Sequence, residues 1–349
     1  MRALRHFPVL MLALVLGLVV PALGPAQAAE EAAVRTLAGH TRFDLARSDI
    51  SAFVDHLVAL GFQRDEAFAV LAKAEPQPKI IEAMTRPAEK ALQWWEYRAR
   101  FVTSERIDAG ARLWREHREL LDTIAMERRV QPEYILGILG VETFFGRITG
   151  RYRVLDALTT LAFDYPSRGD HFRQELEQFL LLARSGELDA DATLGSYAGA
   201  MGVAQFMPSS FQRFAVREGA STQRDLWNDW GDIFGSVANY LQQHGWQYGQ
   251  SVLAEAALGS APEPTLPVSV ALNDTLGAAR ARGMQVQSLQ DDATACLVIP
   301  APLQTGMRYR VGFQNFYVIT RYNRSPLYAM AVNDLAQAIL ERTLASDAP

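Results

Sequence analysis

One carboxylate is placed where carboxylates are uncommon. From Tyr134 to Phe145 the chain is mostly apolar, YILGILGVETFF, with Glu142 as its one acid and Gly137 and Gly140 as small interruptions. Pro132 suits the first turn of a helix, where its missing N–H costs nothing. On such a helix Glu142 shares a face with Ile138, Leu139 and Phe145. Its side chain is therefore expected to point into packed apolar matter. Desolvation disfavours the charged form and raises a carboxyl pKa. A carboxylic acid still protonated near neutral pH can donate its proton to a glycosidic oxygen. A buried Glu can equally brace a neighbouring loop, and spacing alone does not separate the two roles.

A second stretch breaks the helical texture. Ser196 to Ser210, SYAGAMGVAQFMPSS, is rich in small residues and holds one buried-looking amide, Gln205. Its glycines fit neither G-x-x-x-x-G-K-[ST] nor G-x-G-x-x-G. Small residues here let backbone approach a ligand or another helix closely; a tight packing loop is the alternative. No H-E-x-x-H and no G-x-S-x-G occur, the six histidines are scattered, and the calcium-loop pattern D-x-[DN]-x-[DN]-G is missing. No metal or other cofactor is expected.

The elements that must hold these residues are mainly helical. Ile50, Phe53, Val54 and Leu57 recur at helical spacing before Gly61. Ala67 to Ala74 follows, then breaks at Pro76 and Pro78. Ala88 to Val102 carries Trp94, Trp95, Tyr97 and Phe101. Ser104 is expected to cap one long helix with Ile107, Ala111, Trp114, Leu121 and Ile124 inward. Leu155 to Phe163 is helical, Tyr165 to Gly169 a turn, and Phe172, Leu176, Phe179 and Leu180 one helix face. Pro208 starts another helix, and Asp232 to His244, with Tyr240, is the next. Ala261-Pro262-Glu263-Pro264 reads as a linker. Strands are expected at Leu266 to Ala271, Thr294 to Ile299, Arg308 to Gln314 and Phe316 to Tyr322. Ser325-Pro326 caps a last helix with Leu327, Met330, Ala331, Leu335 and Ile339 inward. The fold class is mainly α, an α+β chain with a small β-rich element.

Composition adds location. Arg2 and Arg5, the apolar run Val9 to Val20 and Ala26-Gln27-Ala28 read as a signal peptide cut after Ala28. The run is short for a membrane span, and an uncleaved anchor is the alternative. The expected layout is a signal at 1–28, a tail at 29–45, a helical lobe with catalytic core at 46–260, the β element at 261–323 and a closing helix at 324–349. Losing residues 1–28 removes two arginines and no acid, moving the net charge from −5 to −7. Such a chain does not suit nucleic acid. Cys296 is the single cysteine. That leaves no thiol near the cleavage point for a lipid anchor and no internal disulfide; Cys296 itself reads as buried and inert. Stability must come from a core, for which the chain is long enough.

At RPAEKALQWWEYRARF, ILGILGVETFFGR, DALTTLAFDYPSRGDHF, GSYAGAMGVAQFMPSSF, GSVANYLQQHGW and FYVITRYNRSPLYAMAV, the chain resembles the lytic murein transglycosylase B family. The resemblance implies a lysozyme-like helical core with an N-terminal helical lobe. It implies cleavage of the β-1,4 bond between N-acetylmuramic acid and N-acetylglucosamine of peptidoglycan. The muramoyl C6 hydroxyl, not water, is the nucleophile, and a 1,6-anhydro end results. Glu142, of the VET motif, is implied as the one acid and then base. Ordinary glycosidases use two carboxylates; Asp156, Asp164 and Asp170 are candidate partners by sequence, and the family needs none, the substrate N-acetyl group assisting instead. Ser196 is implied to bind the N-acetyl group and Gln205 to bond sugar. Tyr97 would stack or hydrogen-bond at the cleft. Arg168 matches the second arginine of the family's YPRR turn, and Tyr322 and Asn323 match RYN, which closes over the cleft. Tyr240 is a further candidate, with core packing the alternative for all three tyrosines. Ser167 replaces the first arginine of YPRR, so one positive contact is missing. Arg217 stands where a calcium loop in some members has its first acid, so no calcium is expected. The implied partners are peptidoglycan glycan strands, with cell-wall synthases as further candidates, in the periplasm. A hydrolysing muramidase and a catalytically idle wall-binding protein are the competing readings.

Overall fold

The computed structural model describes residues 40–85, 92–219, 222–264 and 270–347. The expected signal, residues 29–39 of the tail, positions 88–91 of the aromatic helix and most of the first expected strand lie outside them. The described residues begin with helices α1 (Ser48–Ala59), α2 (Arg64–Leu71), α3 (Pro78–Thr85) and α4 (Trp94–Phe101). α1 buries Ile50, Phe53, Val54 and Leu57, the four expected. Gln93 and Glu96 cap α4 reciprocally, which turns Trp94 and Tyr97 inward.

Next come α5 (Ser104–Glu116), α6 (Arg118–Arg128) and α7 (Pro132–Thr143). Two details differ from the sequence reading. Thr103, not Ser104, caps α5, its hydroxyl accepting from the Arg106 N–H at 3.2 Å. The expected single helix is two, broken at His117, whose ring lies 5.5 Å from that of Trp230. Then follow β1 (Tyr152–Arg153), α8 (Val154–Asp164), α9 (Gly169–Arg184), β2 (Leu194–Gly195), α10 (Pro208–Phe214) and α11 (Trp230–Gln243).

The β-rich part runs β3 (Leu253–Ala257), β4 (Asp274–Thr275), α12 (Leu276–Ala281), β5 (Gln285–Val286), β6 (Ala295–Pro302) and β7 (Met307–Gly312). The strands form one antiparallel sheet in the order β4-β6-β7-β3-β5. β6 and β7 are the strands expected near 294–299 and 308–314. β3 was not foreseen, because its LAEAA sequence has little β preference. Cys296 is buried in this part, its thiol pushed up to about 11 by burial. The last expected strand is instead a helix, α13 (Gln314–Tyr322). Its β-branched run misleads. Phe316, Ile319 and Thr320, one helical turn apart, are all buried, and that packing overrides local propensity. α14 (Pro326–Asp347) closes the chain.

α7 is the central helix. Every residue from Glu133 to Val141 is buried. It crosses α14 at close range, and its two glycines make that possible. A β-carbon on Gly137 would lie 2.8 Å from the Val332 carbonyl oxygen; one on Gly140 would lie 2.7 Å from Leu335 Cδ2. An ionic cluster ties α14 to the rest. Asp334 accepts from Arg98 Nε at 2.9 Å and from Arg310 Nη2 at 3.1 Å. Arg310 also bonds Glu255 at 3.1 Å, and its guanidinium sits 5.3 Å from the Trp94 ring. α4, α14 and the sheet are thus joined at one buried carboxylate.

Gly137→Ala should destabilise the fold. Overpacking costs roughly 1–3 kcal/mol, and the obstructing atom is backbone, so the helix gain of about 1 kcal/mol does not offset it. The denaturant midpoint is expected to fall with the slope unchanged.

Candidate active site

The C-terminus of α7 delivers Glu142 to a turn. Phe144 and Phe145 take φ of 53° and 56°, and Gly146 takes 84°, so the chain leaves the helix abruptly. Thr143 holds this bend. Its hydroxyl donates to the Val203 carbonyl at 2.8 Å and accepts from the Gly146 N–H at 3.0 Å. The helix end is thereby fastened to the small-residue loop. That loop is itself paired to the outgoing chain through Tyr152↔Gly195. Gly150 and Gly195 pass so closely that a β-carbon on Gly150 would collide with backbone. Within the small-residue loop a β-carbon on Gly199 would meet Leu158 and one on Gly202 the Leu226 carbonyl, so these glycines serve tight packing, the alternative that the sequence left open.

Glu142 is half-buried, and its neighbours are not only apolar. Tyr328, on α14, donates its hydroxyl hydrogen to Glu142 Oε1 at 2.6 Å. Tyr322 and Tyr240 lie close enough to feel the same carboxylate, and Tyr97 close enough to interact with Tyr328. Three tyrosines, from α11, α13 and α14, therefore gather about one acid, while Tyr97 of α4, near Tyr328, is buried in the core. Burial, and after it the Glu142 charge, pushes Tyr328 well above 10, so its hydroxyl stays a donor. Burial pushes Tyr240 up to about 12. The Tyr322 hydroxyl donates to the Ala204 carbonyl at 2.9 Å, and that of Tyr240 to the Arg321 carbonyl at 2.6 Å. Their rings stand 4.6 Å apart and both pack on Phe206. Tyr240 is buried and Tyr322 half-buried, and both brace the surrounding helices, the packing role that the sequence reading gave as the alternative.

Gln205 and Ser196 sit on the fastened loop. Gln205, at φ 50°, donates from Nε2 to the carbonyls of Thr149 and Gly202 at 3.0 and 2.9 Å. Both amide hydrogens are thus engaged, and the amide oxygen is the atom it can offer. Ser196 Oγ accepts from the N–H groups of Ala198 and Ala200 at 3.3 and 3.1 Å, which leaves its hydroxyl hydrogen to donate. Asn323 Oδ1 accepts from Ser325 N–H at 3.1 Å and shapes the α13–α14 corner. Arg168 stands apart. It is exposed at the start of α9, 5.1 Å from the Phe172 ring. Burial, with Arg168 and Arg324 adding to it and Glu175 opposing, pushes His171 down.

The three aspartates named as second carboxylates are engaged elsewhere. Asp156 bonds Arg153 at 2.6 Å and accepts from Glu75 N–H at 2.8 Å. Asp164 bonds Arg47 at 2.6 Å, and Asp170 is exposed and paired with Arg173. Near Arg217–Gln223 the carboxylates also have partners. Asp232 accepts from the N–H groups of Glu218, Gly219 and Asp225 at 2.7, 2.9 and 2.8 Å, and Glu218 pairs with Arg128. Among the described residues no three acidic, His or Cys side chains are grouped to hold a metal ion.

Residues 46–337 match the family model described as the transglycosylase SLT domain. The chain belongs to the transglycosylase SLT domain family. It is 37% identical over 297 residues to the membrane-bound lytic murein transglycosylase B of Escherichia coli K12, covering 82% of this chain and 81% of that one. Its fold is similar to that of the catenated lytic transglycosylase SltB1 from Pseudomonas aeruginosa, at TM-score 0.81 and 42% identity, covering 85% and 99%. It is also similar to SltB3 of that organism in complex with NAG-anhNAM-pentapeptide, at TM-score 0.69 and 26% identity, covering 83% and 78%. The lysozyme-like helical core expected from the sequence is thus the SLT domain seen here.

Tyr328 was not singled out from the sequence. Of the expected inward face of the last helix, Met330, Ala331, Leu335 and Ile339 are buried and Leu327 is half-buried, and Tyr328, Ala329, Val332 and Ala336 are buried as well. Seven- and eleven-residue steps back from Leu335 and Ile339 reach Tyr328 and would have found it. Tyr328→Phe keeps the ring and removes the donor. A hydrogen bond to a charged group is worth about 1.5–3 kcal/mol, so turnover of murein should fall at least about tenfold while the unfolding midpoint stays within a few degrees.

Proposed function

We propose that this SLT-domain protein is a lytic transglycosylase that cleaves the β-1,4 bond between N-acetylmuramic acid and N-acetylglucosamine and leaves 1,6-anhydromuramoyl ends. One observation carries the reading: a half-buried carboxyl at the end of the central helix, held at one oxygen by a tyrosine hydroxyl. With Oε1 accepting from Tyr328, the transferable proton belongs on Oε2. Glu142 gives that proton to the glycosidic oxygen, and the N-acetylglucosamine side departs with it. The carboxylate so formed takes the proton of the muramoyl C6 hydroxyl. The C6 oxygen bonds to C1 of the same sugar, and Glu142 is protonated again. Each proton is returned, and no water is consumed.

The remaining residues position the substrate. The Ser196 hydroxyl donates to the N-acetyl oxygen and aligns the acetamido group beneath C1. The Gln205 amide oxygen accepts from a sugar hydroxyl or acetamido N–H. Tyr97, Tyr240, Tyr322 and Tyr328 exclude water and present ring faces. Arg168 offers its charge to carboxylates of the lactyl or stem-peptide groups. Two findings support a single-carboxylate route. The candidate second aspartates are tied to arginines, and a relative is known with an anhydromuramoyl ligand bound.

The site of action is taken to be the periplasm, from the signal-like residues 1–28. Among the described residues no helix is long and apolar enough to cross a membrane. Glu142→Gln removes the acid and the base together. Muropeptide release from isolated sacculi, with a chelator present, should fall by roughly 10²–10⁴-fold or more; release at the wild-type rate would assign the acid to another residue.

A further inference from the structure

We propose that a groove at the sheet end of the molecule is a second glycan-binding site. This rests on the reading of peptidoglycan as substrate. The groove is open and encloses about 910 Å³. Gln247, Gln250 and Ser251 line one wall, and Gln287, Ser288 and Gln290 the other. Asp291 is the one ionisable side chain lining it. Amides and hydroxyls both donate and accept, which suits the hydroxyl and acetamido groups of an N-acetylated glycan. Leu289, fully exposed at the rim, offers an apolar contact to a pyranose face.

Both walls are fixed in advance. Asn315 is wholly buried; it accepts from Gln247 N–H at 2.7 Å and donates to the carbonyls of Gln247 and Gln250 at 2.8 and 2.9 Å. Opposite, Gln287 N–H donates to the Glu255 carbonyl at 2.9 Å, and Arg280 donates to the Ser288 carbonyl at 2.6 Å. Rigid walls lower the ordering cost of binding. An extended peptide added to the sheet edge is the other conceivable occupant. The edge strand β5 is two residues long, which gives few backbone groups for strand addition. The glycan is favoured.

The groove is remote from the acid. Trp246, next to Gln247, donates to Gln131 Oε1 at 2.7 Å, at the start of α7. Glu142 lies at the other end of that helix, roughly 17 Å along its axis at 1.5 Å per residue. A short oligosaccharide in the cleft does not reach the groove, whereas a long strand or a neighbouring strand of the wall does.

The test joins Gln250→Ala to Gln290→Ala. Both are exposed or half-buried side chains, so the thermal midpoint serves as the folding control. Co-sedimentation with sacculi, in the Glu142→Gln background to prevent cleavage, should weaken by about fivefold or more. With Glu142 intact, turnover of sacculi should fall while turnover of a soluble tetrasaccharide stays unchanged. Unchanged sedimentation and unchanged sacculus turnover would overturn the proposal. Weakening on peptide-bearing sacculi but not on peptide-free glycan would assign the groove to a peptide and overturn it as well. Weakened sedimentation by a protein whose wild type releases no anhydro products would leave this site standing and remove the catalytic reading.

Discussion

The site depends on how closely two helices cross. α7 ends in Glu142, α14 begins near Tyr328, and the 2.6 Å bond between them exists only while the crossing stays tight. Gly137 and Gly140 keep it tight, because any side chain there meets the Val332 carbonyl or Leu335. The glycines carry no chemistry. They set the distance at which a tyrosine hydroxyl meets a carboxyl, and they accept the helix-propensity cost of about 1 kcal/mol each for it. Asp334, clamped by Arg98 and Arg310, holds α14 in register against α4 and the sheet, and so holds Tyr97 and Tyr328 on one side of the acid.

Around that contact hydrogen bonds join the helices to the loops. Thr143 joins the central helix to the loop carrying Ser196 and Gln205. Tyr322 joins the same loop to α13 through the Ala204 carbonyl. The cleft walls are therefore tied to each other through backbone atoms, not only through apolar contact. A site braced this way presents its remaining donors and acceptors in fixed directions, which suits stabilising charge as it develops. The aspartates that a two-carboxylate mechanism would need are instead bound to arginines that secure neighbouring helices.

Much of this was legible in the sequence. The apolar surround of Glu142 foretold a central helix, and the small residues of 196–210 allowed the tight packing loop that Gly199 and Gly202 form. Both signals are local, written in composition and period. What escaped depended on tertiary contact. α13 reads as a strand because Val318, Ile319 and Thr320 are β-branched, yet a buried face at helical spacing decides it. Tyr328 lay within a recognised segment, but its meeting with Glu142 depends on a helix far along the chain. The expected apolar surround of Glu142 is completed by tyrosines for the same reason, since Tyr240, Tyr322 and Tyr328 come from three separate helices. Arg168 was grouped with its turn, and the fold leaves it exposed over the Phe172 ring at the start of α9.

The central claim is that one carboxyl serves both proton transfers and that water never attacks. The most direct measurement is digestion of sacculi in ¹⁸O-enriched water, followed by mass spectrometry of the released muropeptides. Fragments lighter than hydrolysis products by one water, with no ¹⁸O at the muramoyl end, are predicted. Incorporation of ¹⁸O at C1 of the muramoyl product would contradict the account and require a second carboxylate to activate water.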